Sequence, residues 1–333
     1  MPFARLLVIF LLLALLGSLA LQRCTGERRQ QLSRSRILMG TVVEISAQGA
    51  DPGRLEAVVS AAFEEIARIE KLMHPSGDRS DVARLTAAPE GAEVSPETAE
   101  VIALGLQVAQ ASGGAFDMGL GHLKGLWGIE SEAPRVPAPE EIRLALAGTG
   151  PASLQLEGLR VKKKASTLSV DLGAIAKGYA IDRAVEILRH AGIESASVNA
   201  GGDIRLIGSR EGRPWRIGIQ HPRKSDRQLA VLELADVAVV TSGDYERFFE
   251  RDGVRYHHIF DPRTGYPARL CQSVTVAATS AALADALSTA VFVLGPEAGL
   301  ALLQQFPQAE ALIVATDGTA QATPGLEARL TWR

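Results

Sequence analysis

The chain has 333 residues, 47% hydrophobic and 22% charged, with a formal net charge of −3. That balance lets a globular protein build a substantial core, and it gives no reason to expect nucleic acid as a partner, because no basic patch stands out from it. With only Cys24 and Cys271 present, a disulfide framework is excluded and the fold must be held by packing.

From Leu6 to Leu21 the chain is apolar apart from Gly17 and Ser18, with Arg5 before it and Arg23, Arg28 and Arg29 after it. Sixteen residues at about 1.5 Å each fall a little short of a bilayer core of about 30 Å, so residues 1–23 read as a signal peptide or a short membrane anchor, and either exports the chain. No A-x-A-like cleavage site is present, and Gln22-Arg23 precedes Cys24 where a lipoprotein signal has a small residue; a retained anchor is therefore expected. Residues 24–36 are charged and aperiodic, which predicts a tether, and residues 37–333 are expected to form one domain.

That domain opens with a strand at Ile37 to Ser46 that carries Met39-Gly40-Thr41. The apolar stripe from Leu55 to Met73 predicts an amphipathic helix, His74 to Arg84 a polar loop, and Ser95-Pro96 the capped start of a helix that stops at Gly113-Gly114. Residues Gly113 to Gly128 hold Phe116, Asp117, His122 and Trp127 without helical or strand period, so they read equally as a binding loop or a buried cap. A short helix starts at Pro139, and Leu154 to Lys162 alternates as a strand.

The stretch Ser169 to Asp182 (Ser-Val-Asp-Leu-Gly-Ala-Ile-Ala-Lys-Gly-Tyr-Ala-Ile-Asp) reads as strand, glycine turn and amphipathic helix. A helix start with free N–H groups, two glycines and Lys177 suits an anionic group, although it lacks the P-loop pattern; a plain packing turn with a solvated lysine fits the same letters. Strands follow at 193–199 and 204–208 around Ala200-Gly-Gly-Asp203, then at 215–220, 229–234 and 237–240, the last running into Thr241-Ser242-Gly243-Asp244-Tyr245. Asp261-Pro-Arg-Thr-Gly265 is good turn chemistry beside His257 and His258, and could aim His258 and Arg263. After a strand at 273–278, the helix from Ala282 to Leu294 places Asp285, Ser288 and Thr289 on one face of an otherwise apolar surface. A carboxylate there needs a partner. It is either bridged to a distant Lys or Arg, or it joins the hydroxyls in holding a hard cation such as Mg2+; without a Cys/His cluster, zinc and redox metals are not expected. A helix from Pro296 and a strand at 311–316 complete the chain.

Seven blocks, in order from about residue 37, resemble the ApbE family of FAD:protein FMN transferases: Met39-Gly-Thr, Ala115-Phe-Asp117, the Val170 to Asp182 stretch, Asn199-Ala-Gly-Gly-Asp-Ile-Arg205, Thr241-Ser-Gly-Asp-Tyr245, His258-Ile-Phe-Asp-Pro-Arg-Thr-Gly265 and Ala284-Asp-Ala-Leu-Ser-Thr289. The resemblance implies an α+β fold with a divided, T-fold-like core of mixed sheets flanked by helices, placement on the periplasmic side of the cytoplasmic membrane, and bound Mg2+ and FAD. It implies transfer of FMN from FAD to a Thr or Ser hydroxyl of an acceptor flavoprotein, such as a subunit of a membrane redox complex, with release of AMP. By the same resemblance Asp285, Thr289 and the carbonyl of Ala174 hold the metal with Ser288 adjacent. Met39, Ala115, Phe116, Asp117, Asp171, Lys177, Ser242 and Gly243 line the FAD, and His258 faces the reacting phosphate. A hydroxyl nucleophile wants a base, and His258 is the residue that titrates near neutrality beside a well-formed turn. One departure is the loop after the first long helix, where many members have an aromatic residue and this chain has His74-Pro-Ser-Gly-Asp-Arg79. Two other functions use the same parts: an FAD pyrophosphatase that yields FMN and AMP, and a non-catalytic periplasmic flavin-binding module.

Overall fold

The computed structural model describes residues 30–333; the expected anchor at 6–21, Cys24 and the first part of the expected tether lie outside the described residues. Strands β1 (Gln30–Leu38) and β2 (Thr41–Gly49) form a hairpin, so the tether expected up to residue 36 is instead strand from Gln30 onward. Both turn residues have positive φ, Met39 at 55° and Gly40 at 69°, as a tight two-residue hairpin requires. Then follow α1 (Pro52–Met73), α2 (Asp81–Ala87), β3 (Gly91–Glu93), α3 (Pro96–Ala111), α4 (Gly121–Trp127), α5 (Pro139–Ala145), β4 (Leu154–Glu157) and β5 (Arg160–Lys163). The second half holds α6 (Ala176–His190), β6 (Ala196–Ala200), β7 (Asp203–Ile207), β8 (Trp215–His221), β9 (Lys224–Leu234), β10 (Ala238–Gly243), β11 (Phe248–Arg251), β12 (Val254–His257) and β13 (Cys271–Ala278). It ends with α7 (Ala281–Leu303), β14 (Ala309–Ala315), β15 (Ala320–Ala322), α8 (Pro324–Glu327) and β16 (Leu330–Trp332).

Eight strands form one sheet in the order β1-β2-β6-β7-β10-β13-β14-β15, and its neighbours pair antiparallel, β1 with β2 and β6 with β7 as hairpins. Both faces are covered. Alternate residues such as Val198, Ile207, Val240, Val274 and Ile313 pack under α1, α6 and α7, while Leu206, Val239 and Leu312 face a second apolar cluster with Ile219 and Leu232 of the β16-β9-β8 sheet. The core is divided by the sheet itself. Odd-numbered residues of β7 and even-numbered ones of β10 therefore share the helix side, which is where Asp203 and Ser242 must point.

Where α6 meets α7 there is no room for a side chain. A Cβ on Gly178 would lie 2.2 Å from the carbonyl oxygen of Ala281 and 2.7 Å from the nitrogen of Ala282. Chain length beyond this point is broken at Gly295 (φ 82°), so α7 is two helical segments, in keeping with the separate helices expected before and after Pro296.

Several local expectations are corrected. Leu154 to Lys162 is a hairpin turned at Gly158 (φ 61°), not one strand. The 74–84 loop contains the start of α2, capped by Ser80. Residues 168–172 form no named strand, with one isolated bridge, Leu120 to Ser169, and α6 begins at Ala176, past the glycine turn. The β11–β12 hairpin was not anticipated.

Gly178→Ala is expected to destabilise the protein by about 1 to 3 kcal/mol, since two helix backbones have to part to admit one methyl group. Urea unfolding checks this, and an unchanged midpoint would show that the crossing has slack.

Candidate active site

The first turn of α6 is built by Leu172 to Gly178. Asp171 Oδ1 accepts the N–H of Gly173 at 2.9 Å, and both its oxygens meet Lys124 Nζ at 3.0–3.1 Å. The N–H of Asp171 donates to the carbonyl of Met118, which ties this turn to the glycine-rich loop. The N–H of Gly178 does not take the helical acceptor four residues back, the carbonyl of Ala174; it donates to Asp285 Oδ2 at 3.1 Å. One hydrogen bond thus brings the Asp285 carboxylate of α7 to the start of α6 and leaves the Ala174 carbonyl without its helical donor.

Around this junction stand further oxygens and charges. Ser242 Oγ lies 2.8 Å from Ser288 Oγ and 3.5 Å from Thr289 Oγ1, and the fully buried Ser288 hydroxyl donates to the Asp285 carbonyl at 2.9 Å. Lys177 Nζ is 2.6 Å from Asp203 Oδ2. Burial is the largest influence on Lys177 and pulls its pKa down, but the charges of Asp203 and Asp285 outweigh it and hold it above the ordinary value. Asp285 is pushed upward, first by burial and then by the neighbouring Asp203 charge. With Lys177 committed to Asp203, Asp285 is a buried carboxylate short of positive charge.

That shortage is the test for Mg2+. No group of three or more His, Cys, Asp or Glu suited to a metal occurs among the described residues. The donors available are one carboxylate, the Thr289 hydroxyl and the released Ala174 carbonyl, all hard oxygens, and so few that waters and phosphate must complete the shell, which is the Mg2+ pattern. The residues fit.

His258 follows β12. Its backbone N–H and its Nδ1 lie 3.2 and 3.3 Å from the carbonyl of Arg247. A carbonyl only accepts, so Nδ1 carries the hydrogen and Nε2 is left bare to take a proton. The near-neutral titration expected of His258 is corrected: desolvation, then the charges of Arg247 and His257, pull its pKa down to about 3, so the ring is neutral in the free protein. His257, its rival, is buried, with Nε2 on the Ala268 carbonyl and Nδ1 accepting from Ile259, and is a structural residue.

The remaining expected residues serve the scaffold in this structure. Ala115 and Phe116 are buried in the main core, so their side chains are spent on packing. Asp117 staples two loops, with Oδ1 on the Gly119 N–H and Oδ2 on the Gly150 N–H. Met39 donates its N–H to Glu70 and makes no hydrogen bond to the Lys177–Asp285 group. Gly243 leaves room for the Tyr245 ring, which a Cβ would approach to 2.6 Å. Arg263 pairs with Asp261 and is not aimed at the site, and His74 is exposed at the end of α1 with Nδ1 on Ser76. Trp127 settles the open reading of its loop as a buried cap: it is fully enclosed, donates to the Gly265 carbonyl and packs on Tyr256, Phe260 and Tyr266. Asp203, Lys124 and Arg247 were not singled out from the sequence. A buried carboxylate such as Asp203 demands a cation, but nothing in the spacing pairs position 203 with 177.

The family model described as the ApbE family matches residues 39–313. The chain is 36% identical to the FAD:protein FMN transferase of Treponema pallidum over 332 residues, covering 92% of this chain and 91% of that one. It is also 36% identical to that of Vibrio cholerae over 314 residues, covering 92% and 94%. Among solved structures, the ApbE protein of Thermotoga maritima superposes with a TM-score of 0.83 at 39% identity, covering 90% of this chain and 99% of that one. The flavin transferase ApbE of Vibrio cholerae gives 0.80 at 33%, with the same coverage. With its seven blocks in order on this architecture, the chain belongs to the ApbE family.

Proposed function

We propose that this protein transfers FMN from FAD to a Thr or Ser hydroxyl of an acceptor flavoprotein and releases AMP. Relatives and structural neighbours named FAD:protein FMN transferase or flavin transferase support the reaction class. The observation that carries the reading on this chain is the Gly178 to Asp285 hydrogen bond, because it sets an anion-ready helix start against oxygen donors for a cation.

FAD joins FMN to AMP through a pyrophosphate. The first turn of α6 and the Lys177 ammonium are suited to bind those phosphates, and Asp203 keeps Lys177 charged and oriented for the task. Asp285, Thr289 and the Ala174 carbonyl would hold Mg2+, which supplies charge neutralisation and polarises the phosphate under attack. The acceptor hydroxyl oxygen bonds to the FMN phosphorus while the bond from that phosphorus to the bridging oxygen breaks. AMP leaves with that oxygen, and the hydroxyl proton passes to Nε2 of His258. The hydrogen bond from Nδ1 to Arg247 fixes the ring for this transfer. We place the reaction on the periplasmic side of the cytoplasmic membrane, with a membrane redox subunit as acceptor.

Incubation with FAD and Mg2+, with and without an acceptor flavoprotein, tests the reading. Covalent FMN on the acceptor with matching AMP is expected; FMN released equally fast without acceptor would make the protein a pyrophosphatase, and unprocessed FAD a binding module.

His258→Ala should slow transfer about 10²- to 10⁴-fold while FAD affinity changes little, since proton transfer acts in the transition state. Equal losses of affinity and turnover, read by equilibrium binding and single-turnover kinetics, would make His258 a binding residue. Asp285→Asn should abolish Mg2+-dependent transfer in a protein that circular dichroism shows to be folded, because the amide keeps the shape and removes the charge. An unchanged Mg2+ dependence would remove Asp285 from the metal site.

A further inference from the structure

The α6–α7 crossing is stitched in both directions. Asp285 of α7 takes the Gly178 N–H of α6. In return Asp182 of α6 takes the opening of α7: Oδ1 accepts from the Ala281 N–H at 2.9 Å, and Oδ2 from the Ala282 N–H at 3.0 Å and from Ser280 Oγ at 2.8 Å. Asp182 stands four residues after Gly178 and Asp285 four after Ala281, so each helix lends a carboxylate from one turn inside itself to the other's first turn. Helix starts carry N–H groups with no internal partner, and Ser280 satisfies only one of them, on Leu283. Behind Asp182 lies Arg205 of β7, 6% exposed, with Nε 3.3 Å from Asp182 Oδ1 as an ion pair and with neither Nε nor Nη1 in a hydrogen bond among the described residues.

We propose that Asp182 is a positioning residue for Asp285: it clamps the first turn of α7, and Arg205 holds the clamp in place from the sheet. Asp285 closes the helical turn that begins at Ala281, so releasing that turn lets the carboxylate move away from Gly178 and the Ala174 carbonyl. The consequence for metal rests on the transferase reading; the mechanical link between the two helix starts does not. Groups that orient a metal ligand from behind are commonly worth about 10- to 100-fold in metal affinity. The oxygens of Asp182 contact the start of α7 and Arg205, so it acts through Asp285 and saturating metal should restore turnover.

The test uses the whole protein with Asp182→Ala and Asp182→Asn, the latter keeping one acceptor oxygen. Three readouts are needed: amide hydrogen exchange without FAD or Mg2+, calorimetric titration with Mg2+ alone, and transfer rate against Mg2+ concentration. Exchange should quicken at Ala281 and Ala282 and also at Gly178, which Asp182 does not touch. The Mg2+ titration midpoint should rise about 10- to 100-fold in the alanine variant and less in the asparagine variant, with kcat at saturating Mg2+ within about threefold of the parent. If the alanine variant does not fold, Asp182→Asn and Ser280→Ala, which removes a donor to Asp182, carry the test with the same expected directions. A folded variant with a lower Tm but unchanged Gly178 exchange and an unchanged Mg2+ midpoint would reduce Asp182 to a helix cap and overturn the proposal, as would a kcat that stays low at saturating Mg2+. Failure of the transferase reading shows separately, as absent transfer in the parent protein beside altered Gly178 exchange in the variants.

Discussion

A carboxylate enclosed by an apolar helix costs several kcal/mol unless cations or hydrogen bonds compensate it. Asp285 is 6% exposed on a helix whose neighbouring residues, Ala284, Ala286 and Leu287, are wholly buried. Its compensation comes from the Lys177 charge and from a backbone N–H, that of Gly178, and that donor is available because α6 starts hard against α7. A side chain at 178 would part the helices, and an apolar residue at 285 would take away the acceptor of the Gly178 N–H. The constraint that the chain solves here is electrostatic, and the close crossing of two helices is the solution.

The sheet delivers the rest. Its strict alternation puts Asp203, Arg205 and Ser242 on the helix side, each opposite a different part of the crossing: Lys177, Asp182 and the Ser288–Thr289 pair. The formal charges of Lys177, Asp203 and Asp285 sum to minus one in a largely dry environment. On the proposed reading a divalent cation would reverse that sign and suit the site to a pyrophosphate. His258 follows the hairpin that Trp127 contacts through Tyr256, and its neutral state follows first from burial and then from the cations around it.

Much of this was legible in the letters because local rules agreed with the fold. Period 3.6 from Leu55 to Met73, the Ser95-Pro96 start and the apolar Ala282–Leu294 run all gave helices where helices stand. Asp285, Ser288 and Thr289 on an apolar face, and glycine with lysine in the Ser169 to Asp182 stretch, marked the two segments that the structure brings together at the α6–α7 crossing. What stayed hidden depends on distant pairing. Asp203 looks like part of a glycine hairpin, and its bond to Lys177 exists only after β7 and α6 pack. Phe116 and Trp127 share a glycine-rich segment, yet both turn out to be enclosed, because a short helix, α4, and cross-chain aromatic contacts bury an aperiodic stretch. The resemblance makes Asp117 a flavin contact; in the protein each of its oxygens accepts one backbone N–H, from Gly119 and Gly150.

The account stands on one location for the cation, at the α6–α7 crossing. Crystals grown with FAD and Mn2+ in place of Mg2+, with data collected at the manganese edge, show that location directly by anomalous scattering. The account predicts a peak in coordination range of Asp285, Thr289 and the Ala174 carbonyl, next to the FAD phosphates. A peak held by other residues, with Asp285 still bonded only to Gly178, would contradict it.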